Sequence, residues 1–235
     1  MTENFAARRS RALLEFVGFT VFALCLKAAL DVFVWRYAGP ISLVVVLAAI
    51  ASYMRTQNQS LADLGLVRLT SRKNYLQLPL QCFAAFFVII ATAVVVTILG
   101  VVSGVEALQP NSDGKALRFG DLAGNTPLFL FWLAILWIAG PAEELFFRGF
   151  MINKLRDILG ETKIAICLSI VLPALIFGMG HMYYQGLLGL FTTGAVGISL
   201  GCLFFLFKRN IWPLMIAHAC ANSLGFTLEY LEISV

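Results

Sequence analysis

Long unbroken apolar runs make up most of this chain, and the polar residues gather in a few short clusters between them. The first run extends from Ala12 to about Trp35, behind Arg8, Arg9 and Arg11. It is too long for the apolar stretch of a signal peptide and it contains Glu15, Lys27 and Asp31, so it predicts a retained first helix. A second, shorter helix is predicted from Pro40 to Met54. The polar stretch 55–74 encloses LADLGLVRL, which alternates between oil and polarity as a short interfacial segment does. A third helix is predicted from Tyr75 to Val102. The following polar stretch, 103–126, contains the turn signals Asp113-Gly114 and Gly124-Asn125. The fourth helix begins at Pro127 with Thr126 as its cap, runs past Arg148 toward Leu159, and ends at Gly160. Helices five, six and seven are predicted over Thr162–Gly180, Gln185–Phe207 and Trp212–Leu231. The pattern therefore predicts an all-α polytopic membrane protein, a bundle of about seven transmembrane helices in one membrane-embedded domain, 1–235. A transmembrane β-barrel would need alternating segments of about 10 residues, and the unbroken runs argue against it.

Composition supports this reading. Sixty per cent of the 235 residues are hydrophobic and only 13% are charged, with a mean hydropathy of +0.87. A soluble domain has about 25% charged residues. A soluble enzyme, a disordered segment and a nucleic-acid binder are thereby excluded, and the lipid bilayer is the expected surroundings. The distribution of charge says more than the net value of +4. With the N-terminus inside, 13 of the 17 Lys and Arg residues fall on the inner side, whereas Arg36, Lys115 and Arg118 fall outside and Lys27 lies within the first helix. That bias predicts an N-inside, C-outside orientation. The five cysteines all lie in apolar runs with no CxxC pair, and read as small buried hydrophobes.

Within so apolar a chain, each ionisable group needs a reason, because a charge at mid-membrane costs about 2.5–3.5 kcal/mol on insertion scales. Glu143, Glu144 and Arg148 share the run AILWIAGPAEELFFRGF. Glu144 and Arg148 are spaced i, i+4 with the acid first, the favourable order for a helix pair, and one reading is an internal ion pair with a structural role. Glu143 points about 100° away around the helix. It is poorly placed to share that partner and is expected to face the bundle interior unpaired. Gly140-Pro141 removes a backbone hydrogen bond just before it. The chain has two histidines, His181 and His218. His218 stands four residues before Asn222, on the same helix face. A lone histidine would read as a packed core residue; two histidines, an asparagine and an unpaired glutamate on three helices read as a site.

The residues spell three ordered patterns: Glu143-Glu144-x-x-x-Arg148, Phe177-x-x-x-His181 and His218-x-x-x-Asn222. In this order, each on its own apolar helix, they resemble the CPBP family. That family includes the CAAX prenyl proteases, bacteriocin-processing and self-immunity proteins, and the Abi proteins. The resemblance covers about residues 127–230, the expected catalytic core, and includes GHMYYQG and NIWPLMIAH. It implies membrane-embedded endoproteolysis of a peptide or protein substrate in a bacterial cytoplasmic membrane. It further implies that Glu143 and His181 activate water, that His218 and Asn222 hold the oxyanion, and that Glu144, Arg148 and Phe177 support the site.

The family has been labelled metalloprotease-like, and Glu143, His181 and His218 match a zinc set in residue type. The three come from separate helices, and no HExxH pair is present; the resemblance, more than this spacing, implies a cofactor-free reaction, with zinc as the alternative. Two other functions stay open at this stage: a non-catalytic membrane partner or immunity protein, and a small transporter in which Glu143 relays protons. Gly197 and Gly201 form a GxxxG that can pack within the bundle or serve as a dimer seam.

Overall fold

The computed structural model describes residues 5–232; residues 1–4 and 233–235, the two ends of the expected 1–235 span, lie outside the described residues. The chain folds as helices α1 (Phe5–Thr56), α2 (Arg72–Val102), α3 (Ser112–Phe119), α4 (Thr126–Glu144), α5 (Asn153–Leu159), α6 (Lys163–Leu206) and α7 (Trp212–Tyr230). Short 3₁₀ turns lie at Leu61–Leu64 and Glu106–Leu108, and a π-helix at Leu145–Ile152 joins α4 to α5. No strand occurs among the described residues.

Four helical stretches among the described residues are long and apolar enough to cross a membrane: Ala6–Thr56, Arg72–Val102, Thr126–Leu159 and Lys163–Leu206. This is fewer than the seven crossings expected from the apolar runs, because two of the four helices each combine two of those runs and α7, the seventh run, is not among the four. The first and second predicted helices form α1, broken at Val34, where φ is −141° and ψ 43°. Pro40, which cannot donate to the carbonyl one turn back, follows soon after the break. The fifth and sixth form α6, broken at Gly186 with φ +71° and ψ −166°, a conformation that only glycine adopts without strain.

Side-chain hydrogen bonds set several boundaries. Asn125 caps α4 by accepting from the Leu128 N–H at 3.2 Å. The expected cap Thr126 lies inside the helix, its hydroxyl 2.9 Å from that of Tyr230. Asn111 likewise accepts from the Gly114 N–H at 3.0 Å and starts α3, so Asp113-Gly114, expected as a turn, is the first turn of a helix. Gly160 ends α5 at φ +91°, as expected.

The packing gives the molecule two distinct ends. At one, Arg8 bonds Asp157 at 2.7 Å, Lys154 pairs with the buried Glu15, and the Ile211 N–H donates to Gly65 O at 3.0 Å. The 3₁₀ turn Leu61–Leu64 sits there against the π-helix, with Asn153 donating to Asp63 O at 3.2 Å. At the other end, α3 folds back onto the bundle. Trp132 Nε1 donates to Phe119 O at 2.8 Å, and Gly124 N–H to Tyr230 O at 3.1 Å. Between the ends lie two apolar cores. Ile89, Val196, Leu200, Phe204 and Leu214 join α2, α6 and α7. Val46, Ile50, Phe146, Phe150 and Phe177 join α1 to the π-helix and α6. The outer surface carries large apolar side chains such as Phe33, Leu76, Ile164 and Leu206, which suit a hydrocarbon environment.

The two halves of α6 pack closely through small residues. A Cβ on Gly197 would lie 2.9 Å from Ala174 Cβ, and one on Gly201 2.7 Å from Ile170 Cγ2. The GxxxG is thus a packing face within the bundle.

Candidate active site

Glu143 and Glu144 occupy the last turn of α4, immediately before the π-helix. A π segment inside an α-helical run often marks a functional site, and here it begins with the residue after the paired acids. Helix α7 approaches this turn closely because Gly140 has no side chain: a Cβ there would lie 3.4 Å from the Ala219 nitrogen and 3.6 Å from His218 Cγ. This close approach brings His218 between the two glutamates.

Glu144 is fully buried. Its Oε1 accepts from Arg148 Nη1 at 2.8 Å and from His218 Nδ1 at 2.7 Å. Arg148, equally buried, also donates to Gly197 O at 3.3 Å and lies 5.0 Å from the centroid of the Phe177 ring. The i, i+4 pair read from the sequence therefore forms, and it ties α4, the π-helix, α6 and α7 together. Glu144 holds His218 in the tautomer that carries a proton on Nδ1. The other ring nitrogen, Nε2, lies 3.5 Å from Glu143 Oε2. Glu143 was expected to stand unpaired and apart from Glu144's partners. Instead the one imidazole reaches both acids, through different nitrogens.

His181 sits near the end of the first half of α6. Its Nδ1 lies 2.9 Å from Phe177 O. A carbonyl only accepts, so Nδ1 donates and Nε2 is left as an acceptor. The Phe177 ring meets His181 edge-on at 4.6 Å between centroids and His218 at 6.1 Å. Phe177 is thus wedged between both histidines and the Arg148 guanidinium. Asn222, one turn beyond His218, makes no side-chain hydrogen bond to the described residues, and its amide is free to meet a ligand.

Glu143, His181, His218 and Asn222 all line one cavity of about 390 Å³. Phe146 and Phe147 also line it, and its walls continue to Lys115, Arg118, Tyr183 and Gln185 at the α3 end of the molecule. The sequence offered no reason to single out Arg118, yet it is buried in that wall. Its guanidinium lies 4.4 Å from the Tyr184 ring centroid and 5.1 Å from that of Tyr183. Burial lowers its pKa from the ordinary arginine value, against opposing pulls from Tyr184, Glu143 and Asp31; arginine remains a cation in proteins nonetheless.

Both histidines have Nδ1 anchored and Nε2 directed elsewhere, an arrangement that also suits metal ligands. Among the described residues, however, no three His, Cys, Asp or Glu side chains come together as a metal-binding set.

Residues 125–224 match the family model described as Type II CAAX prenyl endopeptidase Rce1-like. The matched stretch contains all three spaced patterns, so the resemblance to the CAAX protease family holds over the part of the chain that builds the cavity. No curated protein and no solved structure matches the chain. The matched family is one of endopeptidases, and with the long apolar helices it supports a membrane-embedded peptidase.

Proposed function

We propose that this protein hydrolyses a peptide bond of a membrane-associated peptide or protein, using water activated by Glu143 and His181, without a metal. The observation that carries the reading is the convergence of Glu143, His181, His218 and Asn222 on one cavity, with His218 Nε2 3.5 Å from Glu143. Residues 127–230 are the catalytic core in this reading. The peptide carbonyl enters the cavity, and a water hydrogen-bonds to Glu143 and to the acceptor nitrogen of His181. Glu143 takes a proton as the water oxygen attacks the carbonyl carbon. The π electrons of the carbonyl move to its oxygen, giving a tetrahedral oxyanion. The Asn222 amide donates to that oxyanion. His218 donates from Nε2 when it is an imidazolium, a form that Glu144 on Nδ1 stabilises. Glu143 then delivers its proton to the leaving nitrogen, the C–N bond breaks, and a carboxylic acid and an amine separate. Glu144, bonded to both Arg148 and His218 Nδ1, orients His218 without taking part in proton transfer.

The excess of Lys and Arg at the Arg8, Lys154 and Arg209 end supports an N-inside orientation. In that orientation the α3 end of the cavity faces the outer side.

Membranes containing wild-type or Glu143→Ala protein, analysed for released peptides by mass spectrometry with and without a metal chelator, test the proposal. Peptides that appear with wild type, persist in chelator and vanish with Glu143→Ala support it. Identical peptide profiles for the two proteins would refute cleavage, and loss in chelator with rescue by zinc would refute the metal-free reaction.

A further inference from the structure

A buried cation needs acceptors, and the cavity contains one whose guanidinium has aromatic rings beside it but no hydrogen-bond acceptor on two of its nitrogens among the described residues. Arg118 is 8% exposed. Its Nε and Nη1 are buried without a hydrogen-bond acceptor, and no carboxylate of the described residues lies within ion-pair distance of it. The other site cation is different: Arg148 is committed to Glu144 and to Gly197 O. Lys27, on the same cavity wall, is paired with Asp31 at 2.7 Å.

Arg118 is also held firmly. Phe119, its neighbour, packs with Trp132, Tyr184 and Phe226 in an aromatic cluster, and the Trp132 indole bonds the Phe119 carbonyl. The last turn of α3 is thereby fixed over the cavity, and the rings of Tyr183 and Tyr184 flank the guanidinium. Desolvating a guanidinium this far costs free energy that the flanking rings return in part and that an anion or good acceptors would return more fully. Its planar fork of five N–H groups matches a carboxylate better than any neutral group.

We propose that Arg118 holds a carboxylate of the peptide substrate and so selects which peptides enter and how they lie against Glu143. This rests on the peptidase reading and adds a specificity-determining residue to it. The carboxylate is either the chain end or an acidic side chain near the cleaved bond. The chemistry is shared, and the experiment separates the two sources. Because Arg118 and Glu143 line one cavity, an anchored carboxylate would fix the distance between the anchor and the attacked carbonyl. Peptides would then be cut at a set number of residues from the anchored group.

The test uses the purified full-length protein in neutral detergent and four pools of N-acylated decapeptides of randomised apolar sequence. One pool has a free C-terminal acid, one a C-terminal amide, one an amide with a single internal Glu, and one an amide with a single internal Gln. Binding is measured with the Glu143→Gln protein, so that it does not depend on turnover, and cleavage is measured with wild type. A charge-assisted hydrogen bond predicts that a carboxylate pool binds about 10- to 100-fold more tightly than its neutral counterpart. Preference for the free acid alone assigns the chain end, and preference for the Glu pool alone assigns the side chain. Adding Arg118→Gln should erase the preference, and Arg118→Lys should restore part of it. Equal binding of all four pools, or of none, overturns the proposal without any substitution at Arg118. A carboxylate preference that survives Arg118→Gln overturns it as well. If the preference follows Arg118 but wild type cleaves no pool, the carboxylate site stands and the peptidase reading fails.

Discussion

Glu144 is fully buried, and an arginine and a histidine both bond the same one of its oxygens. Its second oxygen is buried without a hydrogen-bond partner among the described residues. The group is thus held by charge-assisted bonds on one side only, and losing the charge would leave Arg148 buried and uncompensated. Asn222 is the opposite case, a polar side chain on the cavity wall with no side-chain hydrogen bond to the described residues. If it serves the oxyanion, Asn222→Ala lowers kcat by about 10²–10³ with little change in KM, by analogy with measured oxyanion donors. Turnover per folded molecule, with a thermal melt on the same sample, checks this. A variant that is less stable but turns over normally would make Asn222 a packing residue. The motif residues were legible in the sequence because their helical spacing alone puts Glu144 beside Arg148 and His218 beside Asn222. The link from His218 to both acids was not legible, since it depends on how closely α7 approaches Gly140. Arg118 was invisible for the same kind of reason: it lies in a polar connection, and only the folding back of α3 buries it.

The helices themselves were read well where apolar runs were long and bounded by glycine or polar clusters, as at Val102 and Gly160. Errors arose where a side-chain cap decided the outcome. Asn111 turned an expected Asp-Gly turn into α3, and Asn125 rather than Thr126 began α4. The π-helix at 145–152 left no trace in the apolar pattern, because a shift from i, i+4 to i, i+5 bonding changes no residue type. The break at Gly186 lets α6 double back, and the two halves then touch through glycine. A Cβ on Gly178 would stand 2.5 Å from Leu190 O and 3.2 Å from Gly194 Cα, where backbone cannot yield easily. Gly178→Ala is therefore predicted to lower stability by about 1–3 kcal/mol, the usual cost of overpacking. Gly180→Ala, two residues on, meets nothing within 4 Å and should leave the melting temperature unchanged or slightly raised. Equal melting temperatures for the two variants would contradict the close helix contact.

At the scale of the whole molecule, the two ends differ in charge and in role. The basic end carries the Arg8–Asp157 bond and the 3₁₀ turn against the π-helix, whereas the cavity lined by the candidate site extends to the α3 end. An N-inside orientation predicts that an impermeant maleimide labels Lys115→Cys on intact cells, and labels Arg68→Cys only after permeabilisation. Both substitutions are made in a background lacking the five native cysteines, and the reverse pattern would invert the orientation. The central claim is that Glu143 is the base that activates water. It is tested most directly by the turnover of purified Glu143→Gln, per folded molecule, on a peptide that wild type cleaves. The substitution keeps the size of the side chain and removes its basicity. Cleavage reduced to the uncatalysed background, in a protein that melts like wild type, is the result predicted. Normal cleavage by the folded variant would contradict it.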